Sequence, residues 1–316
     1  VSARLVIGVL AALLAALSAV AMSSAVFTAH APNAGNTFAT AADWVAPMLA
    51  ISAPAAGALT SVATPTVSGT AGNATGDSTT VVVRIYAGAS ATGTPAQTLN
   101  VTRTAAAWTT AVPTALAAGA YTVQATQADA AGNTGTSAAT SFTVDRAAPT
   151  PTMIAAANGG ANAGRLNAGD TITYTFSEAI SPTTVLSTFT GGATTASVRV
   201  LFTNAGTTAA PTDRFTVLDS AGAANVRLDG GSATGVATKA NLVTSATVTW
   251  PATMSQSADG KSFAIVLGTA PTGLATVTNA AKNMSWTPKA GPTDLAGNAL
   301  TLPTGTVDET DSDVDF

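Results

Sequence analysis

The sequence predicts an all-β protein with two β-sandwiches in tandem, preceded by an N-terminal hydrophobic signal or anchor helix. Three observations predict this. Thr, Val, Gly and Ala recur in short alternating runs, and β-branched side chains fit a pleated surface better than a helix. Clusters of Gly, Pro, Asn and Asp punctuate those runs at short intervals, as turns between strands do. A pair of Asp-bearing motifs also occurs twice, in the same order, once in each half of the chain.

Composition narrows the chemistry. Of 316 residues, 72 are Ala and 56 are Thr, while charged residues make up 9% and aromatics 5%. The chain has no Cys and one His, His30. That excludes a disulfide framework, a thiolate nucleophile, a zinc finger and a multi-histidine metal site. A net charge of −4 with 12 thinly spread basic residues argues against nucleic-acid binding. Glu occurs only at Glu178 and Glu309, and no pair of carboxylates flanks an evident cleft, so no catalysis is expected.

The leader, residues 1–25, has Arg4 followed by eighteen uncharged, mostly apolar residues, 5–22. That is the form of a secretory signal, and Ser23-Ser24-Ala25 offers a small-x-Ala cleavage site. The alternative is an uncleaved signal anchor, since eighteen residues at about 1.5 Å rise nearly span the hydrocarbon core. The extension, residues 26–45, carries Ala25-Val26-Phe27-Thr28, then Gly35-Asn36-Thr37-Phe38, then Ala42-Asp43-Trp44. This stretch resembles the signal-peptide junction of Gram-positive biofilm-matrix fibre proteins. A signal peptide with an unstructured spacer explains it equally well.

The first sandwich is expected over residues 46–147. Val81, Val83 and Ile85 alternate with Val82, Arg84 and Tyr86, a period of two that buries one face. Leu99, Val101 and Arg103 repeat the pattern, and Phe142 and Val144 form the last pair. About seven strands in about 100 residues is the immunoglobulin-like count. The spacing of Leu116, Gly119, Tyr121 and Val123 resembles the tyrosine corner of that fold, in which the Tyr hydroxyl bonds to backbone. Trp108 and Tyr121 are expected in the core. Asp129-Ala130-Ala131-Gly132-Asn133 is a turn motif, and Thr143-Val144-Asp145-Arg146-Ala147-Ala148-Pro149 ends the unit. Together they resemble the immunoglobulin-like repeats of large bacterial adhesins.

The second sandwich, residues 148–307, is expected to be larger. Its clearest strand is Thr171-Ile172-Thr173-Tyr174-Thr175-Phe176, followed by Ser177-Glu178-Ala179-Ile180. The latter resembles the opening of another bacterial immunoglobulin-like family of envelope proteins. Asp294-Leu295-Ala296-Gly297-Asn298 repeats the Asp129 turn, and Thr306-Val307-Asp308 repeats the strand end at Asp145. The tail, residues 308–316, holds five carboxylates that are expected to repel and stay solvated. Leu302-Pro303-Thr304-Gly305 is one residue short of a sortase signal, so wall anchoring by that route is not expected.

Calcium is the one metal chemistry such a composition favours, because it takes carboxylate and carbonyl oxygens in flexible geometry. The adhesin resemblance implies calcium near domain junctions, at Asp129 and Asp145 and at their repeats Asp294 and Asp308. Asp129 and Asp294 also have a simpler role open to them, bonding to the backbone of their own turns. Arg146 departs from the adhesin pattern, which carries an uncharged residue there. The expected function is non-enzymatic: adhesion, spacing or scaffolding by a secreted or cell-surface protein. Its partners would be envelope, host or matrix proteins or glycans, with membrane contact only through an uncleaved leader. Two alternatives stand beside it. One is a self-associating subunit of a matrix fibre or pilus-like polymer. The other is a carbohydrate-binding module using Trp44, Trp250 or Trp286 as platforms.

Overall fold

In the first half, strong period-two runs become two facing sheets. A computed structural model describes residues 44–159, 164–205, 213–229, 235–238, 242–271 and 283–310. The leader, its cleavage site, His30, the biofilm-matrix-like junction up to Asp43 and the tail beyond Thr310 lie outside the described residues. The strands here are β1 (Ala50–Ala53), β2 (Ala58–Thr60), β3 (Thr66–Thr70), β4 (Thr80–Ala87), β5 (Gln97–Thr102), β6 (Ala107–Ala111), β7 (Gly119–Ala128), β8 (Thr134–Thr136) and β9 (Thr140–Val144). One sheet has the order β1-β3-β6; the other runs β2-β9-β7-β4-β5, with β8 on β7. Nine strands form where seven were expected, because β2 and β8 are three-residue strands too short to show a period.

The inner faces share one core. Val81, Val83 and Ile85 of β4 meet Val123 and Ala125 of β7, Trp108 of β6 and Phe142 and Val144 of β9. Trp108 Nε1 donates to the Thr70 carbonyl at 3.1 Å. The tyrosine corner is formed: the Tyr121 hydroxyl donates to the Ala117 carbonyl at 3.1 Å, and its ring stacks on Phe142. Val123 takes a fully buried position two residues on.

The second half contains β10 (Pro151–Ala157), β11 (Thr171–Phe176), a short helix α1 (Pro182–Val185), β12 (Thr195–Thr203), β13 (Arg214–Asp219), β14 (Val236–Ala237), β15 (Thr247–Gln256), β16 (Ser262–Leu267), β17 (Ser285–Trp286) and β18 (Val307–Asp308). In place of two separate sheets, these strands bond in one antiparallel order, β10-β11-β16-β15-β12-β13-β14-β17-β18. The sheet rolls until β18 lies beside β10. Glu309 fastens that seam. Its Oε1 accepts from the Ala156 amide at 3.0 Å, and its Oε2 accepts from the Met284 amide at 2.9 Å. Glu309 is buried, so this part of the expected solvated tail is structural. Two strand ends that do not pair directly would each leave an amide unmet, and a carboxylate with two acceptor oxygens serves both.

Inside the roll, Ile172, Tyr174 and Phe176 of β11 point inward as their alternation predicts, and the Thr residues between them are half-buried. Trp250 and Trp286 are fully buried, which corrects the expectation that they form exposed platforms. Their indole N–H groups donate to the carbonyls of Gly268 and Leu228, and Trp286 packs edge-on against Tyr174 and Phe176. A ring of this size with its one donor satisfied belongs in a core. Trp44 alone of the three is exposed.

Candidate functional site

The two Asp-x-Ala-Gly-Asn motifs fold into matching turns. In the later one, Asn298 donates its backbone N–H to Asp294 Oδ1 and its Nδ2 to Asp294 Oδ2, both at 2.7 Å. The Asp294 amide donates back to the Asn298 carbonyl at 3.0 Å. In the earlier one, Asn133 bonds Asp129 in the same way at 2.8 and 2.7 Å. Gly132 and Gly297 both have φ of +92°, a conformation that a side chain would strain. These bonds favour the ionised carboxylate. For Asp129 the Asn133 side chain is the largest influence holding its pKa below the ordinary value.

The surroundings of the two turns differ. Asp294 pairs by a backbone bridge with Ile180, which brings Glu178 to the same end of the fold. Asp145 arrives there from the end of β9, its amide held by the Thr60 carbonyl at 2.9 Å. The Asn298 Nδ2 also donates to the Asp145 carbonyl, at 3.0 Å. The Ser61 amide donates to the Ala296 carbonyl at 3.0 Å, adding a second strut between the halves. Asp145, Glu178 and Asp294 each present a carboxylate oxygen within 4.8 Å of the others. Asp294 is buried, whereas Asp145 and Glu178 are half-buried.

Three carboxylates this close repel one another. Burial and then the charges of Asp145 and Asp294 raise the Glu178 pKa above its ordinary value, and Lys261 offsets this in part. Arg146 is exposed and is not among the groups acting on Glu178. The spacing suits one hard cation. An ion about 2.4 Å from each donor holds oxygens up to about 4.8 Å apart, the span of a calcium shell. The carboxylate chemistry therefore fits Ca²⁺, and the Asp145 carbonyl lies in the same loop system.

The structure thus brings together Asp145 and Asp294 from the four expected calcium residues and adds Glu178. Asp129 and Asp308 are not in this cluster. Asp129 lies across a backbone bridge from Asp77. Asp308 sits at the end of β18, where its Oδ1 accepts from the Thr306 hydroxyl at 2.9 Å. Glu178 was missed because its link to Asp294 is a pairing across more than a hundred residues of sequence. The only local signal was its rarity, directly after the clearest strand.

Residues 52–146 match the family model described as the bacterial Ig-like domain, so the first half is similar to that family in sequence. No curated protein matches the chain. Solved structures that match the chain include a tetra-tandem repeat in the extending region of a large adhesion protein, at 16% identity and a TM-score of 0.24. That match covers 83% of this chain and 49% of the other, so this chain spans about half the length of the repeat structure. Fibronectin(III)-like modules of Clostridium thermocellum CbhA match at 15% identity and a TM-score of 0.28, covering 71% and 94%. Chicken CNTN1 FN1–FN3 domains match at 11% identity and a TM-score of 0.26, covering 83% and 64%.

Proposed function

We propose that this chain is a non-catalytic Ig-like surface protein that acts in adhesion, spacing or scaffolding at a bacterial envelope, and that calcium stiffens the join between its halves. The convergence of Asp145, Glu178 and Asp294 carries the reading. Asp145 ends the first sandwich, and Glu178 and Asp294 belong to the second half, so an ion shared by them resists hinge motion at Pro149. On this reading its partners are envelope, host or matrix proteins or glycans. The ion is a stiffener that sets the angle at which binding surfaces are presented. Calcium in extracellular modules binds at about 10⁻⁴–10⁻³ M, which suits a protein outside the cell.

Because the chain has no Cys, a pair of introduced thiols labels cleanly. Spin labels at Ala89→Cys and Ala221→Cys, both exposed, report the distance between the halves. Millimolar calcium should narrow the distance distribution, and a chelator should broaden it again. An unchanged distribution would remove the stiffening role.

A further inference from the structure

A second feature lies away from the carboxylate cluster. Helix α1, the loop before Arg227 and the segment at Lys289 border a solvent-open groove of about 620 Å³, most of whose wall residues are exposed. Its walls include Thr183, Ser187, Asn225, Arg227 and Lys289, and no carboxylate or aromatic residue lines it. The chain has only 12 basic residues and a net charge of −4. Two cations line one groove, and the one carboxylate bonded to its wall, Asp219, sits behind Asn225, so the groove itself is locally cationic.

The Arg227 backbone is held firmly. Arg227 stands between Val226 and Leu228, both in the core, and its amide donates to the Val185 carbonyl at 2.9 Å. Its side chain lies across Gly291, whose φ is +123°; a Cβ there would come within 2.7 Å of Arg227 Cδ. The Arg227 guanidinium makes no hydrogen bond or ion pair among the described residues. Lys289 Nζ reaches the Ala224 carbonyl at a long 3.4 Å, which leaves its other protons unused. Asn225 Nδ2 is held by Asp219 Oδ2 at 2.7 Å, so its amide plane is fixed and its own oxygen remains an acceptor.

We infer that this groove binds an acidic saccharide unit, a sugar bearing a carboxylate. The guanidinium fork and the ammonium match a carboxylate. Thr183, Ser187 and Asn225 supply the mixed donors and acceptors that sugar hydroxyls need. The volume falls within the range of small-molecule pockets, about 300–1,000 Å³, and exceeds what a bare inorganic anion fills. The absence of an aromatic wall disfavours a flat aromatic base.

The test is an NMR titration of the full chain with glucuronate, glucose and inorganic sulfate, in chelator so that the junction carboxylates play no part. Glucuronate should shift the amides of residues 183–187, 224–227 and 289–290 with an affinity of about 1 mM, and glucose should not. Arg227→Gln should weaken glucuronate by about tenfold or more without changing the melting temperature; Lys289→Gln should weaken it less. The inference is overturned if glucuronate leaves those amides unmoved or binds Arg227→Gln equally well. Sulfate binding as tightly as glucuronate would mean an adventitious ion only, and would overturn it too.

Discussion

Asn298 ties the two halves of the chain together: its Nδ2 donates both to the Asp145 carbonyl at 3.0 Å and to Asp294 Oδ2 at 2.7 Å. One amide thereby orients a carboxylate of the cluster and holds the strand end that brings another. Asn298→Ala removes both bonds and should destabilise the chain by about 2–3 kcal/mol, since one bond is to a charged group. Calcium affinity should fall with it. Asn133→Ala loosens the matching turn in the first sandwich and should leave calcium affinity unchanged. Chemical denaturation and calcium titration of both variants separate the two effects.

Glu178 sets a pH signature. Its folded pKa is raised, so the folded state binds its proton more readily than the unfolded chain does. This group's contribution to stability is complete below the ordinary glutamate value and is lost as pH rises through the raised one. Calcium-free protein should therefore gain stability from Glu178 as pH falls from neutrality through the raised value toward the ordinary glutamate one. Glu178→Gln should flatten that slope, and saturating calcium should suppress it because the ion needs the ionised form. Melting curves across this range, with and without calcium, check the sign.

Glu309 closes the rolled sheet. Glu309→Ala leaves the Ala156 and Met284 amides without their acceptor. The expected loss is roughly 2–4 kcal/mol, from one buried and one part-buried donor unmet. Glu309→Gln keeps one acceptor and sets a donor against the other amide, so it should lose part of this. Hydrogen exchange should rise first at Ala156 and Met284.

Tyr121→Phe removes only the hydroxyl bond to the Ala117 carbonyl and keeps the ring on Phe142. About 0.5–1.5 kcal/mol should be lost, without change in calcium affinity. Denaturant melts measure it.

Much of this fold could be read from local pattern. The alternation in β4 and β11 gave their buried faces, and the Leu116–Tyr121 spacing gave the corner bond. The Asp129 and Asp294 motifs gave two matching turns. Trp250 was misread although its pattern was present: Val248, Trp250, Ala252 and Met254 alternate along β15 and all point inward. What sequence spacing did not carry was long-range pairing. Glu178 joins Asp294 only through the bridge at Ile180, and Glu309 finds Ala156 only because the sheet rolls closed. An acidic tail looks solvated until a seam gives one of its carboxylates two amides to satisfy.

The most direct measurement is calorimetric titration of calcium into the full chain and into Glu178→Gln. The account predicts binding of one ion at the junction with an affinity of about 10⁻⁴–10⁻³ M. Glu178→Gln should weaken it about tenfold or more while the fold persists. Calcium binding that is absent in the unmodified chain, or equal in Glu178→Gln, would contradict it.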